Sequence, residues 1–282
     1  MKTRLSILAM VLFYCSSPGF AEEKITFQTT EITSGLYVLQ GKGGFAGGNI
    51  AISTGDDGVV MIDDSMPPLL DELKKAIAGI SDKPVDFLIN THVHGDHTGN
   101  NSAMGEAGVH IIGHENIRKR LQMNKSDGET TPAKALPVLT FDGEITFHLN
   151  GLHARVFHLP HAHTDGDAAI HFPGPNVIHT GDILFNGMFP FIDLDKGGSV
   201  EGYIDDTIVI PGHGPVGKRA DIKASYEMLI DAQARVASLK RKGKSEDEVV
   251  AANPLKIYHK DWNWLFITTE KMTRTLYRGL SM

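Results

Sequence analysis

The sequence predicts an α/β domain made of two β-sheets with helices on the outside. Short apolar runs separated by Gly- and Asp-rich turns fill most of residues 25–212, and they have the length and composition of strands. Helical spacing of apolar residues appears at 67–78 and dominates after Gly212. The sequence contains no solenoid-type repeat, low-complexity block or linker, so a single domain is the arrangement that best buries these elements.

The first 21 residues have the features of a secretory signal peptide. Basic residues precede a ten-residue apolar run at 5–14, and Gly19 and Ala21 are small enough for a signal peptidase site. We expect cleavage after Ala21, which leaves a mature domain of residues 22–282 in the periplasm or outside the cell. A membrane anchor is the alternative, but a bilayer needs about 20 apolar residues.

Composition restricts the chemistry of the mature chain. Cys15 is the only cysteine. It could be a lipidated first residue, although the bulky Phe13-Tyr14 pair before it argues against a lipoprotein cleavage site. Without it, the mature chain has neither disulfides nor thiolate chemistry. Cleavage leaves 25 basic and 34 acidic residues, a net charge of −9. The expected partner is a small-molecule substrate, with no nucleic acid and no stable membrane insertion after signal removal. The sequence does not indicate an oligomeric state.

The predicted elements follow in order along the chain. The first group comprises strands at 25–31, 35–39, 49–53, 58–62, 85–90, 109–112 and 137–141, with helices at 67–78 and 115–123. The second group is a run of antiparallel strands at 144–149, 152–159, 168–172 and 176–180, then a strand at 207–210. Asn150-Gly151 predicts a tight hairpin. Helices are predicted at 219–243, 247–252 and 262–280.

The stretch THVHGDHTGN at 91–100 concentrates possible metal ligands directly after a predicted strand. His92 and His94 are two residues apart, so in an extended backbone both imidazoles point the same way. Gly95 can turn the chain, which lets Asp96 and His97 serve a second ion. Imidazole nitrogen and carboxylate oxygen are suitable zinc ligands.

Three later strands also end in ligand residues beside small residues. These ends carry His161 and His163, Asp182 in a TGD step, and His213 in a PGHG step. A lone histidine is more often structural than a ligand. Four such stretches together, in a mature chain without thiolates, favour a metal site.

This succession of HxHxDH, a single His, TGD and PGHG resembles the metallo-β-lactamase superfamily from about residue 25 to 217. The resemblance implies an αββα sandwich with a dinuclear site at one edge of the sheets. It implies that one zinc ion binds His92, His94 and His163, and that a second binds Asp96, His97 and His213, with Asp182 between them. His161 competes with His163, which we prefer because His163-Thr164 matches the family's HT step. Asp63 and Asp64 are expected to bond loop backbone, and Asp165 and Asp167 to support turns or ligands.

The resemblance implies a secreted hydrolase. Two zinc ions would share a water and lower its pKa from 15.7 toward about 7, and the hydroxide would open a cyclic amide or ester, β-lactam-like or lactone-like. Asp96 is the expected catalytic residue, orienting the hydroxide and passing on a proton. Asp182 fits lactonase or thioesterase members better than dedicated β-lactamases, which tend to carry Cys or Ser there. The alternatives are a mononuclear iron persulfide dioxygenase-like enzyme and a non-catalytic periplasmic metal-binding protein.

Two loops are predicted to contact substrate. The glycine-rich stretch 41–48 carries Phe45 at its tip and predicts a mobile flap. The apolar loop 185–192 follows Asp182, and its Met188 and Phe189 are predicted to form a pocket wall. The connection 199–206 is shorter than a parallel crossover usually requires. The position of His213 therefore depends on how the chain crosses at this point.

Overall fold

A computed structural model describes residues 24–123, 125–126, 129–198 and 208–280. The predicted signal peptide and the connection 199–206 lie outside these residues. Within the described residues, two mixed β-sheets stack face to face and helices flank them. The predicted α/β sandwich is therefore confirmed.

The first sheet contains seven strands in the spatial order β1-β2-β3-β4-β5-β6-β9. Strands β1 to β4 form an antiparallel meander, and β5, β6 and β9 are added in parallel. A separate two-stranded antiparallel sheet contains β7 and β8. The bounds are β1 Thr26–Thr33, β2 Leu36–Lys42, β3 Ile50–Gly55, β4 Gly58–Ile62, β5 Phe87–Ile89, β6 His110–His114, β7 Lys125–Ser126, β8 Glu129–Thr130 and β9 Leu139–Phe141.

The second sheet runs in simple order from β10 to β14. Its first four strands are antiparallel, as predicted, and β14 joins β13 in parallel. Asn150 and Gly151 have φ of 57° and 67°, the left-handed pair that a two-residue hairpin requires. The bounds are β10 Glu144–Leu149, β11 Leu152–His158, β12 Ala168–Phe172, β13 Val177–Phe185 and β14 Ile208–His213.

Helices cover the outer faces of the sheets. The chain after β14, from Arg219 to Gly279, forms a helical unit. The α-helices are α1 Leu70–Ala78, α2 Gly95–Thr98, α3 Asn101–Glu106, α4 Glu115–Met123, α5 Arg219–Arg241, α6 Glu246–Ala252, α7 His259–Trp262 and α8 Thr269–Gly279. Short 3-10 helices occur at Pro67–Leu69, Ala133–Ala135, Leu194–Lys196 and Lys256–Tyr258.

The single helix predicted at 262–280 is wrong. The chain forms α7, leaves the helix at 263–268, and starts again as α8. Two side chains cap the new helix: the Thr268 hydroxyl accepts the Lys271 N–H at 3.1 Å, and the Asn263 amide oxygen accepts the Thr269 N–H at 2.9 Å. These bonds satisfy N–H groups that lack partners in a first helical turn.

The central core lies between the sheets. Ile62 and Ile89 of the first sheet share one buried cluster with Val156 and Ile170 of the second. A separate buried cluster joins the helical unit to the loop after β13. No helix among the described residues combines the length and apolar character needed to cross a bilayer.

Candidate metal centre

All seven predicted ligands lie at one edge of the sandwich. His92 and His94 follow β5, α2 carries Asp96 and His97, and His163 follows β11, while Asp182 lies within β13 and His213 ends β14. They form two groups in which the ligand atoms lie within 4.8 Å of one another. The first group is His92, His94, His163 and Asp182, and the second is Asp96, His97 and His213.

The first group is a tight cluster of imidazoles around one carboxylate. His163 Nε2 lies 2.8 Å from His94 Nδ1. Asp182 Oδ2 lies 3.7 Å from His92 Nε2 and 3.6 Å from His163 Nε2. His161 is exposed and donates from Nδ1 to the Gly197 carbonyl at 3.0 Å, away from the group.

The same carboxylate also contacts the second group. Asp182 Oδ1 lies 3.1 Å from His97 Nε2, and its Oδ2 lies 3.3 Å from His213 Nε2. Asp96 Oδ2 lies 3.5 Å from His213 Nε2 and 3.8 Å from His97 Nε2. Asp182 is therefore placed between two clusters of nitrogen and oxygen ligands.

The donor set fits a metal cation. His92 Nε2, His97 Nε2 and Asp182 Oδ1 are buried, and none of these atoms has a hydrogen-bond partner among the described residues. Buried polar atoms without partners are costly and therefore rare. A cation at each group would satisfy them, and imidazole with carboxylate is a ligand combination that zinc accepts. These seven residues would hold such ions.

His92 and His97 are the buried histidines of the HxHxDH run. In each, Nδ1, the ring nitrogen that points away from the cluster, forms a hydrogen bond with another residue. Asp63 Oδ2 accepts His97 Nδ1–H at 2.7 Å and the Thr91 hydroxyl at 2.8 Å. Thr91 Oγ1 in turn lies 3.0 Å from His92 Nδ1 and accepts its proton. When both histidines are neutral, this tautomer leaves Nε2 of each with a free lone pair toward the cluster.

Two further bonds orient the remaining first-group histidines. Asp193 Oδ2 lies 2.8 Å from His94 Nε2 and accepts its proton, which leaves Nδ1 free. The Phe191 carbonyl accepts His163 Nδ1–H at 2.5 Å. Asp193 lacks motif support and was missed by sequence analysis, because it lies 99 residues beyond the histidine it orients.

The neighbouring carboxylates act largely as expected. Asp63 Oδ1 accepts the Thr91 backbone N–H at 2.8 Å, and Asp64 Oδ1 accepts that of Asn100 at 3.0 Å. Asp167 Oδ2 accepts the backbone N–H of His163 at 2.6 Å, and Asp165 pairs with the Arg120 guanidinium at 2.6 Å. These bonds fix the loops that present the ligands.

Burial and charge separate the two groups electrostatically. Burial lowers the pKa of His163 to about 4 and that of His92 well below its ordinary value. Although burial opposes it, Asp182 and Asp96 raise the pKa of His213 to about 9. The pKa of His97 is raised too, because Asp182, Asp63 and Asp96 together outweigh its burial. First-group imidazoles are thus ready to bind a cation, whereas second-group imidazoles must release protons to do so.

Two glycines are required by the closeness of the ligands. A Cβ on Gly48 would lie 2.7 Å from Nε2 and 2.8 Å from Nδ1 of His97, with Cε1 nearer still. A Cβ on Gly212 would overlap Asp182 Oδ1. The glycine-rich stretch predicted as a flap therefore has a packing role at Gly48, where the chain passes directly over a ligand ring.

A cavity of about 540 Å³ opens above the ligands. Its floor and walls are formed by Phe45, His94, Gly95, Asp96, Asp182, Phe185, Phe191, His213, Trp264, Leu265 and Phe266. Phe45 thus lies where the sequence analysis placed it. Trp264, Leu265 and Phe266 were missed, because 263–268 was assigned to a helix.

The wall predicted from Met188 and Phe189 needs correction. Neither is among the residues that line the cavity. Phe189 is fully buried with the helical unit, and its carbonyl accepts the Trp264 indole N–H at 3.0 Å. Phe191, two residues further on, lines the cavity instead. The apolar core of the helical unit takes Phe189 because it offers complete burial.

A family model described as the metallo-beta-lactamase superfamily matches residues 43–213, more than half of the chain. The chain belongs to the metallo-beta-lactamase superfamily. The match spans the described ligands from His92 to His213. It also ends where the helical unit begins, so Trp264 and its neighbours lie outside the part of the chain that defines the superfamily.

Two curated superfamily relatives are similar in sequence. The 2,4-dinitroanisole O-demethylase subunit alpha of Nocardioides sp. (strain JS1661) is 25% identical over 232 residues, 78% of this chain and 65% of the relative. The hydroxyacylglutathione hydrolase of Pelagibacter ubique (strain HTCC1062) is 31% identical over 118 residues, 41% of this chain and 44% of the relative. The chain thus spans less than two thirds of the length of either relative.

Solved structures support the superfamily fold. A metallo-beta-lactamase from Pontibacter korlensis superposes with a TM-score of 0.59 at 19% identity, covering 73% of this chain and 100% of that one. A sec-alkylsulfatase from Pseudomonas sp. gives a TM-score of 0.61 at 17% identity, covering 89% and 50%. Members of the superfamily are mostly hydrolases, and this chain has the superfamily fold with His and Asp residues that could hold a metal.

Proposed function

We propose that this protein is a secreted, dinuclear zinc hydrolase that opens a cyclic amide or ester. The observation that carries the proposal is the position of Asp182. One of its oxygens contacts His97 and the other lies within 3.7 Å of His92, His163 and His213, so a single carboxylate serves both ligand groups. Secretion is proposed from the signal-like sequence of residues 1–21.

Zinc ions, when bound, would polarise the scissile carbonyl and lower the pKa of a water toward about 7. The chain's own residues do the remaining tasks. The seven ligands hold the ions, and Asp63, Thr91 and Asp193 keep the imidazoles in the required tautomers.

Asp96 is the residue best placed to handle a proton. It lines the cavity, and its side chain is 25% exposed, in contrast to the buried Asp182. Although burial raises the pKa of Asp96, His97 and His213 lower it below the ordinary value. The carboxylate is therefore ionised at neutral pH and can accept a proton from water and deliver it to the leaving group.

Similarity to a hydroxyacylglutathione hydrolase supports acyl transfer to water and extends the substrate class to thioesters. The test is elemental analysis of the purified protein together with hydrolysis of nitrocefin, lactones and a thioester by the same sample. We expect about two zinc ions per chain and turnover of at least one acyl substrate. One iron per chain, no hydrolysis and thiol-dependent oxygen uptake would instead establish the persulfide dioxygenase alternative. Bound metal without any turnover would establish a metal-binding protein.

Cleavage of an activated aryl ether is a second candidate. The relative named 2,4-dinitroanisole O-demethylase subunit alpha matches 78% of this chain, and the cavity is walled by aromatic rings. Water would add to the ether to give 2,4-dinitrophenol and methanol, with no oxidant required. Release of the yellow phenolate from 2,4-dinitroanisole would support this candidate, and absence of release with active protein would reject it.

A further inference from the structure

One half of the cavity wall is a stack of rings built on a second-group ligand. The His213 ring stacks with Phe45 at a centroid distance of 5.6 Å and with Phe185 at 5.0 Å. Trp264 lies 6.0 Å from Phe185 and 6.2 Å from His213. These are the spacings of favourable aromatic pairs, so the wall beside His213 has a defined shape.

The other half is built on a first-group ligand and closes against the first. Phe191 stacks with the His94 ring at 5.6 Å and meets Phe266 edge-on at 5.3 Å. Phe266 lies 5.8 Å from Trp264, which joins the two halves. The Lys271 ammonium lies 3.8 Å from the Phe266 ring centroid and 5.4 Å from that of Phe191, which helps to hold both rings.

Among the residues that the structure describes, none with a charged side chain lines the wall above the ligands. Every charged or titratable residue that lines the cavity belongs to the ligand groups: His94, Asp96, Asp182 and His213. Lys271 contacts two wall rings but does not line the cavity. A carboxylate held among the rings would therefore have no lysine or arginine partner among the described lining residues, and burying an unpaired charge is costly. At the floor, the His213 imidazole already faces the carboxylates of Asp96 and Asp182.

We propose that the cavity selects an uncharged substrate that carries an aromatic ring, which the walls formed by Phe45, Phe185, Phe191, Trp264 and Phe266 enclose. The bond to be cleaved would lie at the ligand floor, and that part of the inference rests on the proposed function. Binding of the aromatic ring does not rest on the proposed function. The inference disfavours anionic β-lactams and favours aryl esters, aryl lactones and aryl ethers within the proposed activity.

The test uses Trp264 as a reporter. Trp262→Phe leaves Trp264 as the sole tryptophan, and its fluorescence is titrated in EDTA-treated protein. The probes are 4-nitrobenzamide and 4-nitrobenzoate, which share a quenching ring and differ in charge. We expect saturable quenching by the amide and roughly tenfold weaker binding of the carboxylate, because no lysine or arginine is among the described lining residues and His213 already faces Asp96 and Asp182.

Phe266 allows a matched set of variants, because it contacts wall residues and no metal-ligand ring. In the reporter background, Phe266→Ala should weaken amide binding roughly fivefold to tenfold, and Phe266→Leu should restore only part of it. Ile257→Ala is the control, since Ile257 is equally exposed and apolar but does not line the cavity. Circular dichroism verifies that each variant keeps the fold.

The outcomes separate this inference from the proposed function. Equal binding of the two probes, absence of binding, or unchanged binding by Phe266→Ala would each overturn the aromatic, uncharged-substrate inference. Amide binding in a protein that takes up no zinc would uphold the inference and overturn the proposed function. Zinc uptake with acyl hydrolysis but without probe binding would uphold the proposed function and overturn the inference.

Discussion

Replacing Gly48 with alanine should damage one ligand group and spare the other. The added Cβ would lie 2.7 Å from Nε2 and 2.8 Å from Nδ1 of His97. His97 has little freedom to retreat, because its ring is fully buried and Nδ1 is bonded to Asp63. The clash is therefore directed at a second-group ligand.

The size of the effect follows from the geometry. Comfortable contacts between non-bonded heavy atoms begin near 3.5 Å, so the His97 ring or the loop that contains Gly48 must shift by at least about 0.8 Å to relieve the nitrogen contacts, and by more to relieve Cε1. Metal–ligand distances tolerate deviations of only about 0.2 Å. We expect the zinc affinity of the second group to fall tenfold to hundredfold, the range for variants in which a ligand loses its orientation. This corresponds to about 1.4 to 2.8 kcal/mol of binding free energy.

The assay is zinc titration against a chromophoric chelator, which resolves two successive binding constants. The wild-type protein should show two, and Gly48→Ala should keep the constant of the first group, His92, His94 and His163. Gly95→Ala is the matched control for metal binding. Gly95 lies within the same ligand motif, but a Cβ there has no atom within 4 Å.

Three results would refute this reasoning. Unchanged constants in Gly48→Ala would mean that His97 is not a ligand in the observed position. Equal loss at both sites, with the thermal unfolding midpoint also lowered, would mean that alanine disrupts the fold rather than one ligand. Equal damage from Gly95→Ala would show that the motif tolerates no added Cβ, whatever its contacts.

Three further predictions concern the charged groups. Asp182→Asn should lower zinc occupancy at both groups, and elemental analysis showing an unchanged stoichiometry would contradict its position between them. Asp193→Ala frees His94 Nε2 and should weaken zinc binding at the first group roughly tenfold to hundredfold, seen by the same chelator titration with the second constant unchanged. Because the pKa of His213 is raised from 6.5 to about 9 in the metal-free fold, its stabilising contact is fully present below about pH 6.5 and lost as the pH rises to about 9. Thermal unfolding of EDTA-treated protein should show this slope. His213→Gln is the comparison, in which the slope should become shallower without vanishing, because the pKa of His97 is raised as well.

Patterns that act over a few residues were predictable. β4 Gly58–Ile62, β10 Glu144–Leu149 and β12 Ala168–Phe172 have the predicted bounds, because an apolar run or an apolar alternation between flanking turns defines a strand locally. The positions of His92 and His94 could be inferred for the same reason: a strand end followed by glycine presents neighbouring side chains on one side. The superfamily also followed from the spacing of these motifs.

Features that join distant segments were not predictable from the sequence. The break at 263–268 depends on two capping side chains, and the burial of Phe189 depends on a core supplied by helices that follow it in the chain. No local pattern marks Asp193 as the hydrogen-bond partner of His94, because the two residues are 99 positions apart in the chain.

The amino-acid sequence by itself determined which residues are able to bind metal, because ligand chemistry belongs to the side chain and strand-end spacing is local. The tertiary structure alone decided which side chains line the cavity. Its rings come from Phe45, from 185–191 and from 264–266, segments that together span more than 200 residues of the chain. No local pattern marks such rings as neighbours, since their convergence depends on how the two sheets and the helical unit pack together.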